Sequence, residues 1–304
     1  VGGVGVLLGA VAPVALMVAT GYLAARLLRL DRGPLTRLTL FVLVPFLVFD
    51  QLWRADAEPL GALRLAAAFA LASAAFALAG WAVGRLLGLP AAVRASLTAT
   101  TAFPNTGNMG LSVALFALGE AGLERATIVF VVATVLLFGF GPALFHGGSL
   151  REQLAMTLRL PLIWAVVLGL AANAADLRLP ANLGGGVHML AQGAIPMLLL
   201  ALGMQIAESR IRVGAYNLLA SLLRVLGGPV VAFWIGRALG LGGADLVVLV
   251  LISGMPAAVN TYLMAAEFGG DAARTARVVV LSTLISFLTL PLVLGWALRA
   301  AGVG

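Results

Sequence analysis

Two stretches decide the fold: Thr98-Ala-Thr-Thr-Ala-Phe-Pro-Asn-Thr-Gly-Asn-Met-Gly110 and Ser253-Gly-Met-Pro-Ala-Ala-Val-Asn-Thr-Tyr262. Each sets a proline, Pro104 or Pro256, near the middle of a long apolar run. Proline has no N–H to donate and clashes with the preceding turn, so a helix breaks or kinks there. Gly107, Gly110 and Gly254 ease the departure from helical angles. Asn105, Thr106, Asn108, Ser253, Asn260 and Thr261 add polar side chains where polar atoms are costly. One such helix reads as an ordinary kink whose freed carbonyls are satisfied locally. Two at equivalent positions of a repeated sequence read as a matched pair of interrupted helices.

The repeat is visible at an offset of 152 residues. Gly84-Arg-Leu-Leu-Gly-Leu89 reads against Gly236-Arg-Ala-Leu-Gly-Leu241, and without a gap Pro104 then falls on Pro256 and Asn108 on Asn260. Elsewhere the offset drifts slightly, pairing Pro13 with Pro161, Gly21 with Gly169 and Pro45 with Pro196.

Composition sets the medium. Of 304 residues, 62% are hydrophobic and 10% charged, with mean hydropathy +1.09. A soluble protein carries about 25% charged residues, and a disordered one needs low hydrophobicity, so a water-soluble enzyme and a disordered chain are both excluded. Cysteine is absent, which removes disulfides, thiolate metal sites and thiol nucleophiles. Two histidines, His146 and His188, are too few for a histidine-rich metal centre, and no metal or cofactor is expected. No serine–histidine or paired-aspartate constellation suggests an intramembrane enzyme. The net charge of +7 is carried by arginine without lysine, spread between apolar runs rather than gathered into a stripe with aromatics, so no nucleic-acid partner is expected. With neither a basic region before the first apolar run nor a cleavage motif, no signal peptide is expected.

A bilayer span needs roughly 20 mostly apolar residues, and helices satisfy their own backbone in lipid. Ten such runs are present, at about 4–28, 35–53, 60–87, 91–118, 126–145, 154–175, 186–207, 216–239, 244–268 and 276–300. The predicted fold is an all-α membrane protein of ten transmembrane helices, with halves 1–148 and 149–304 of five spans each. Five is odd, so the second half enters from the opposite side, as an inverted-topology repeat. Loops after odd-numbered spans hold 13 arginines, Arg224 counted among them, against 6 elsewhere. Positive charge marks the cytoplasmic side, which places both termini outside.

Paired interrupted helices point to a midplane binding site. If helices four and nine cross at their breaks, two helix N-termini meet, each with roughly half a positive charge and free N–H groups. An anion fits there, with Asn108 and Asn260 suited to a carboxylate. Neither stretch contains Asp or Glu, which counts against proton or sodium antiport as the main function. Asp50 and Glu267 are candidate coupling residues because intramembrane carboxylates are functional by default. The alternative pairs Asp50 with Arg54 one turn on and leaves Glu267 at the interface. Tyr262 and Phe103 flank the prolines and could line a pocket or pack the core. His188 and His146 read as helix-end or interfacial residues, and Gly184-Gly-Gly186 as a flexible turn.

These residues resemble a known family. Phe103-Pro-Asn-Thr-Gly-Asn-Met-Gly-Leu111 looks like the fourth-helix signature of the auxin efflux carrier family, which includes plant PIN-FORMED carriers and bacterial relatives. Met255-Pro-Ala-Ala-Val-Asn260, Ala266-Glu-Phe268, Ser282-Thr-Leu-Ile-Ser286 and Leu290-Pro291 resemble its ninth and tenth helices. Pro45 and Ile195-Pro-Met-Leu-Leu-Leu-Ala-Leu-Gly203 match its second and seventh. The resemblance implies an architecture like that of sodium/proton antiporters and bile-acid symporters, with helices 4 and 9 crossing at their prolines. It implies a scaffold of helices 1, 2, 6 and 7, often dimeric, and a moving unit of helices 3–5 and 8–10. It implies elevator-type secondary transport of small organic anions, auxin-like or dicarboxylate, and Pro104, Asn105 and Pro256 match the crossover positions. The chain lacks the long central loop of the plant carriers and has Ala257 where they have glutamine, which favours a bacterial inner-membrane organic-acid carrier. The alternatives are a sodium-coupled symporter of the bile-acid type, or a membrane sensor that does not transport. The expected partners are therefore a small organic anion, the lipid bilayer and a second copy of the chain; proton or sodium coupling stays open.

Overall fold

The computed structural model describes residues 3–55, 58–145, 150–209 and 213–303. Among these the chain is helical apart from turns and one isolated bridge. His146, Arg210, Arg212 and the boundary at 148/149 lie outside the described residues.

Helix α1 covers Gly3–Leu28. Next come α2 (Arg32–Leu38), a π-helical turn Thr39–Leu43 and α3 (Val44–Trp53), which together form one apolar rod. Helix α4 covers Pro59–Leu86. The first interrupted segment is α5 (Ala91–Ala102), a break at 103–105, a π-helical turn Thr106–Leu111 and α6 (Ser112–Phe140). Then follow α7 (Leu150–Leu158), α8 (Pro161–Ala174) and α9 (Ala181–Glu208). A second rod joins α10 (Ala215–Leu222), a π-helical turn Leu223–Gly227 and α11 (Gly228–Ala238). The second interrupted segment is α12 (Gly243–Ser253), a break at 254–259 and α13 (Asn260–Glu267), and α14 (Ala272–Ala300) ends the fold.

Among the described residues, seven helical stretches are long and apolar enough to cross a bilayer, and α7 with α8, bent by 67°, make an eighth if taken as one span. The protein is a multi-pass membrane protein. One stretch, Thr106–Phe145, has 40 residues. At about 1.5 Å per residue it is roughly twice the hydrocarbon thickness. It is not one span: Gly119 leaves the helix at φ 68° and ψ −160°, a backbone region suited to glycine. The second limb returns beside the first, since a Cβ on Gly107 would lie 3.1 Å from the Phe130 ring. The sequence suggests a loop over 119–125; the structure compresses that reversal into the single glycine.

Arg224, a loop charge by the sequence pattern, lies instead inside the second rod on its π-helical turn and is 2% exposed. Without it the loops after odd-numbered spans hold twelve arginines against six elsewhere.

The core runs through the centre of the bundle. Val44, Leu47 and Val48 of α3 pack with Met109, Leu111 and Val113, with Leu198 and Leu199 of α9, and with α12, whose residues 246–252 are all fully buried. At the α1–α9 crossing the two backbones touch. A Cβ on Gly203 would stand 2.0 Å from the Val18 carbonyl, and one on Gly21 would stand 2.1 Å from that of Leu200. In lipid, helices associate through such close small-residue contact, because apolar burial gives no preference for protein over acyl chains. Gly203→Val should therefore lower the thermal midpoint of detergent-purified protein by several degrees, overpacking costing about 1–3 kcal/mol. Gly61→Ala, which meets nothing within 4 Å, should leave it unchanged or raised.

Candidate functional site

The two breaks lie against each other. Pro104 and Ala257 form an antiparallel bridge. The Asn105 N–H donates to the Pro256 carbonyl at 2.7 Å, and the Ala258 N–H donates to the Phe103 carbonyl at 2.9 Å. Two extended segments thereby satisfy each other where no helix continues, as a buried backbone requires. The Ser282 hydroxyl of α14 accepts from the Ala257 N–H at 3.1 Å.

Both ends of each break need partners. On the helix-starting side, Asn105 caps the turn that follows it: its Oδ1 accepts from the Asn108 N–H at 3.2 Å. Its Nδ2 is buried without a partner. On the helix-ending side, α5 is rich in threonine, but those hydroxyls bond within the helix. Thr98, Thr100 and Thr101 donate to the carbonyls of Arg94, Ser96 and Leu97, each at 2.9 Å. The carbonyls of Thr101 and Ser253, in the last turns of α5 and α12, accept from the two terminal nitrogens of Arg224.

A cavity opens on one face of this crossing. Thr106, Gly107 and Asn108 line it at one helix start, and Ala258, Val259 and Asn260 at the other. Phe103, Pro104 and Asn105 form its floor, with Phe130 and Thr134 of α6, Leu198, Ala201 and Gln205 of α9, and Arg32, Thr36 and Thr39 completing the wall. The cavity has a volume of about 90 Å³, room for several waters at roughly 10–15 Å³ each. Beside the cavity lies a vestibule of about 680 Å³, and Arg32, Thr36, Leu40, Gln205, Val259 and Asn260 line both. Arg37, Arg277, Glu208 and Tyr262 line the vestibule further out. Arg32 Nε lies 3.2 Å from Glu208 Oε2, so the arginine nearest the cavity is held by a partly exposed acid.

The expected residues therefore divide. Pro104, Asn105, Thr106, Asn108 and Asn260 line the cavity. Tyr262 lines the vestibule and is 39% exposed. Ser253, Pro256 and Thr261 do not line the cavity: Pro256 and Ser253 serve through their carbonyls, and the Thr261 hydroxyl donates to the Ala258 carbonyl at 2.6 Å. Sequence reasoning missed Arg32 and Arg224, both read only as topology charges, although a lone arginine inside an apolar run is itself a signal.

Asp50 and Glu267 lie elsewhere. Asp50 is 1% exposed and accepts from Arg54 Nε at 2.8 Å, as the pairing one turn on predicts. It also meets His188 Nδ1 of α9 at 2.7 Å, while His188 Nε2 faces Gln192 at 3.0 Å, so this cluster joins α3 to α9 away from the cavity. His188, read as a helix-end or interfacial residue, lies in the second turn of α9 and also ties that helix to α3. Glu267 is exposed at the end of α13.

Comparison with known proteins identifies the family. The family described as "Membrane transport protein" matches residues 6–156 and 148–294. An "Uncharacterized transporter" of Methanothermobacter thermautotrophicus is 29% identical over 271 residues, covering 86% of this chain and 88% of its own. A Rhizobium meliloti protein named "Putative malonate transporter" is 28% identical over 304 residues, covering 92% of each chain. An uncharacterized transporter of Methanocaldococcus jannaschii is 26% identical over 201 residues, 64% of this chain and 65% of its own. With the match running through both interrupted helices, the chain belongs to the membrane transport protein family, the auxin efflux carrier family whose signature residues 103–111 resemble.

Proposed function

We propose that this chain is a secondary transporter of small organic anions, with dicarboxylates of malonate's size as the substrate class, working by elevator-type alternating access. The observation that carries this reading is the uncommitted Asn105 amide, set in a cavity where two helix N-termini meet. A carboxylate there would receive the Asn105 Nδ2 donor, the Asn108 and Asn260 side chains and the positive ends of two helices. Nothing in the cavity wall repels it, since no acidic residue lines the cavity among the described residues. Arg32, at the rim, would draw the anion in and meet a second carboxylate. The name of the Rhizobium relative points to the same substrate class.

In this reading ten spans arise by dividing Thr106–Phe145 at Gly119, joining its first limb to α5, and joining α12 to α13. The spans form a 5+5 inverted repeat. Helix α1, the α2–α3 rod, α7 with α8, and α9 form the scaffold, through which the protein would dimerise, and the remaining helices form the moving unit. The arginine-rich vestibule then faces the cytoplasm of a bacterial inner membrane with both termini periplasmic, so the conformation is open inward. Leu47 and Val48 packed with Leu111 and Val113 close the outward path. No covalent step is required. The ties of Asp50 to Arg54 and His188 favour holding the scaffold together over coupling, and the exposure of Glu267 at the end of α13 favours an interfacial place.

Uptake of radiolabelled malonate into proteoliposomes tests the reading. Losing one hydrogen bond to a charged partner costs about 1.5–3 kcal/mol, roughly ten- to hundredfold in apparent affinity. Asn105→Ala and Asn260→Ala should each lower uptake by that order while remaining monodisperse in detergent; wild-type uptake in both contradicts the site. Binding without accumulation or exchange by the wild-type protein would favour the sensor. Arg32→Gln should raise KM more than it lowers the maximal rate, and should flatten the dependence of uptake on ionic strength, because steering by surface charge is screened by salt. Unchanged KM and salt dependence would remove Arg32 from the path.

A further inference from the structure

The breaks create a second electrostatic problem, on the opposite face of the crossing from the cavity. Helices α5 and α12 both end at the crossing, and each C-terminus carries about half a negative charge on unsatisfied carbonyls. Two such ends side by side in an apolar interior need a cation. Arg224 reaches between them. Its terminal nitrogens donate to the carbonyls of Thr101 and Ser253, its guanidinium lies 4.8 Å from the centre of the Phe76 ring, and it is 2% exposed. Its hydrogen bonds run to main-chain carbonyls at the two helix ends. The packing is built around it: a Cβ on Gly228 would stand 2.1 Å from the Ser253 carbonyl, and only about 10 Å³ is left free among Phe69, Ser73, Phe76, Pro104 and Ser253. Pro104 lines both this space and the anion cavity, so the guanidinium sits directly behind the cavity floor.

We propose that Arg224 is the fixed cation of the crossing: a positioning residue that fills, as a side chain, the place where two converging helix C-termini would otherwise hold a metal cation, so that anion binding on the other face requires no sodium. The rigid fork of a guanidinium suits two carbonyls at a set separation, and its charge is retained at any physiological pH. The crossing is then held in shape, and the floor of the anion site kept positive, whether or not sodium is present. This role goes beyond the transport reading and only its uptake arm rests on that reading.

The test compares cations at equal ionic strength. In detergent, the thermal midpoint of the ligand-free wild-type protein should agree within about 1 °C in sodium chloride and choline chloride, since an ion that binds the folded state raises it. Malonate uptake into proteoliposomes should be equal within about twofold in the two salts, uptake being read as transition-state free energy. A midpoint raised by several degrees in sodium, or uptake lost in choline, overturns the proposal. Arg224→Lys, which keeps the charge, should retain measurable uptake with a raised KM, whereas Arg224→Met should lose it. Equal uptake by both variants removes the charge from the argument. Should Arg224→Met fail to fold, the wild-type comparison decides alone. If the wild-type protein neither binds nor takes up malonate, the transport reading fails, and the sodium insensitivity of the ligand-free midpoint still tests Arg224.

Discussion

The structure depends on how two interrupted helices satisfy their own backbones in an apolar interior. A buried peptide group without a partner costs several kcal/mol in lipid, so a broken helix survives there only where protein supplies what the missing turn would have supplied. The breaks at 103–105 and 254–259 supply it to each other through the Asn105–Pro256 and Phe103–Ala258 bonds. Arg224 takes the carbonyls of the two ending helices, and Asn105 Oδ1 takes an N–H of one starting helix. What is left over includes the Asn105 amide nitrogen, buried without a partner, and two helix starts beside one cavity.

The proposed guest follows from that setting: asparagine amides and two helix N-termini, with no acidic residue in the lining among the described residues, suit an anion better than a proton or a metal. The charges that can attract such a guest are arranged in depth. Arg37 and Arg277 stand in the vestibule, Arg32 at the boundary and Arg224 behind the floor. Only the floor charge is locked in place, since Arg32 is half-exposed and shares itself with Glu208.

Much of this was legible in the sequence where the cause is local. Proline alone does not decide a break, since Pro13, Pro196 and Pro291 lie inside α1, α9 and α14; Pro104 and Pro256 could be read as interruptions because glycines and asparagines accompany them at matched repeat positions. Contacts across the chain could not. Asp50 and His188 are 138 residues apart, and Arg224 meets a carbonyl 123 residues away. A lone arginine within an apolar run looks the same whether it marks a loop or fills a buried hole. Ser253 and Thr261 stand apart from the cavity for a different reason: the spacing shows a hydroxyl near the break, not that the Thr261 hydroxyl bonds back to a carbonyl of the break or that Ser253 meets Arg224 through its carbonyl. The reversal over 119–125 was legible because Glu120, Glu124 and Arg125 interrupt the apolar run; that a single glycine makes the turn was not.

The most direct test of the central claim is an experimental structure of the protein with malonate bound, at a resolution that shows side chains. The account predicts helices interrupted at Pro104 and Pro256 with a carboxylate within hydrogen-bonding distance, about 2.7–3.2 Å, of Asn105 Nδ2. Unbroken helices through those prolines, or malonate bound with Asn105 still unengaged, would contradict it.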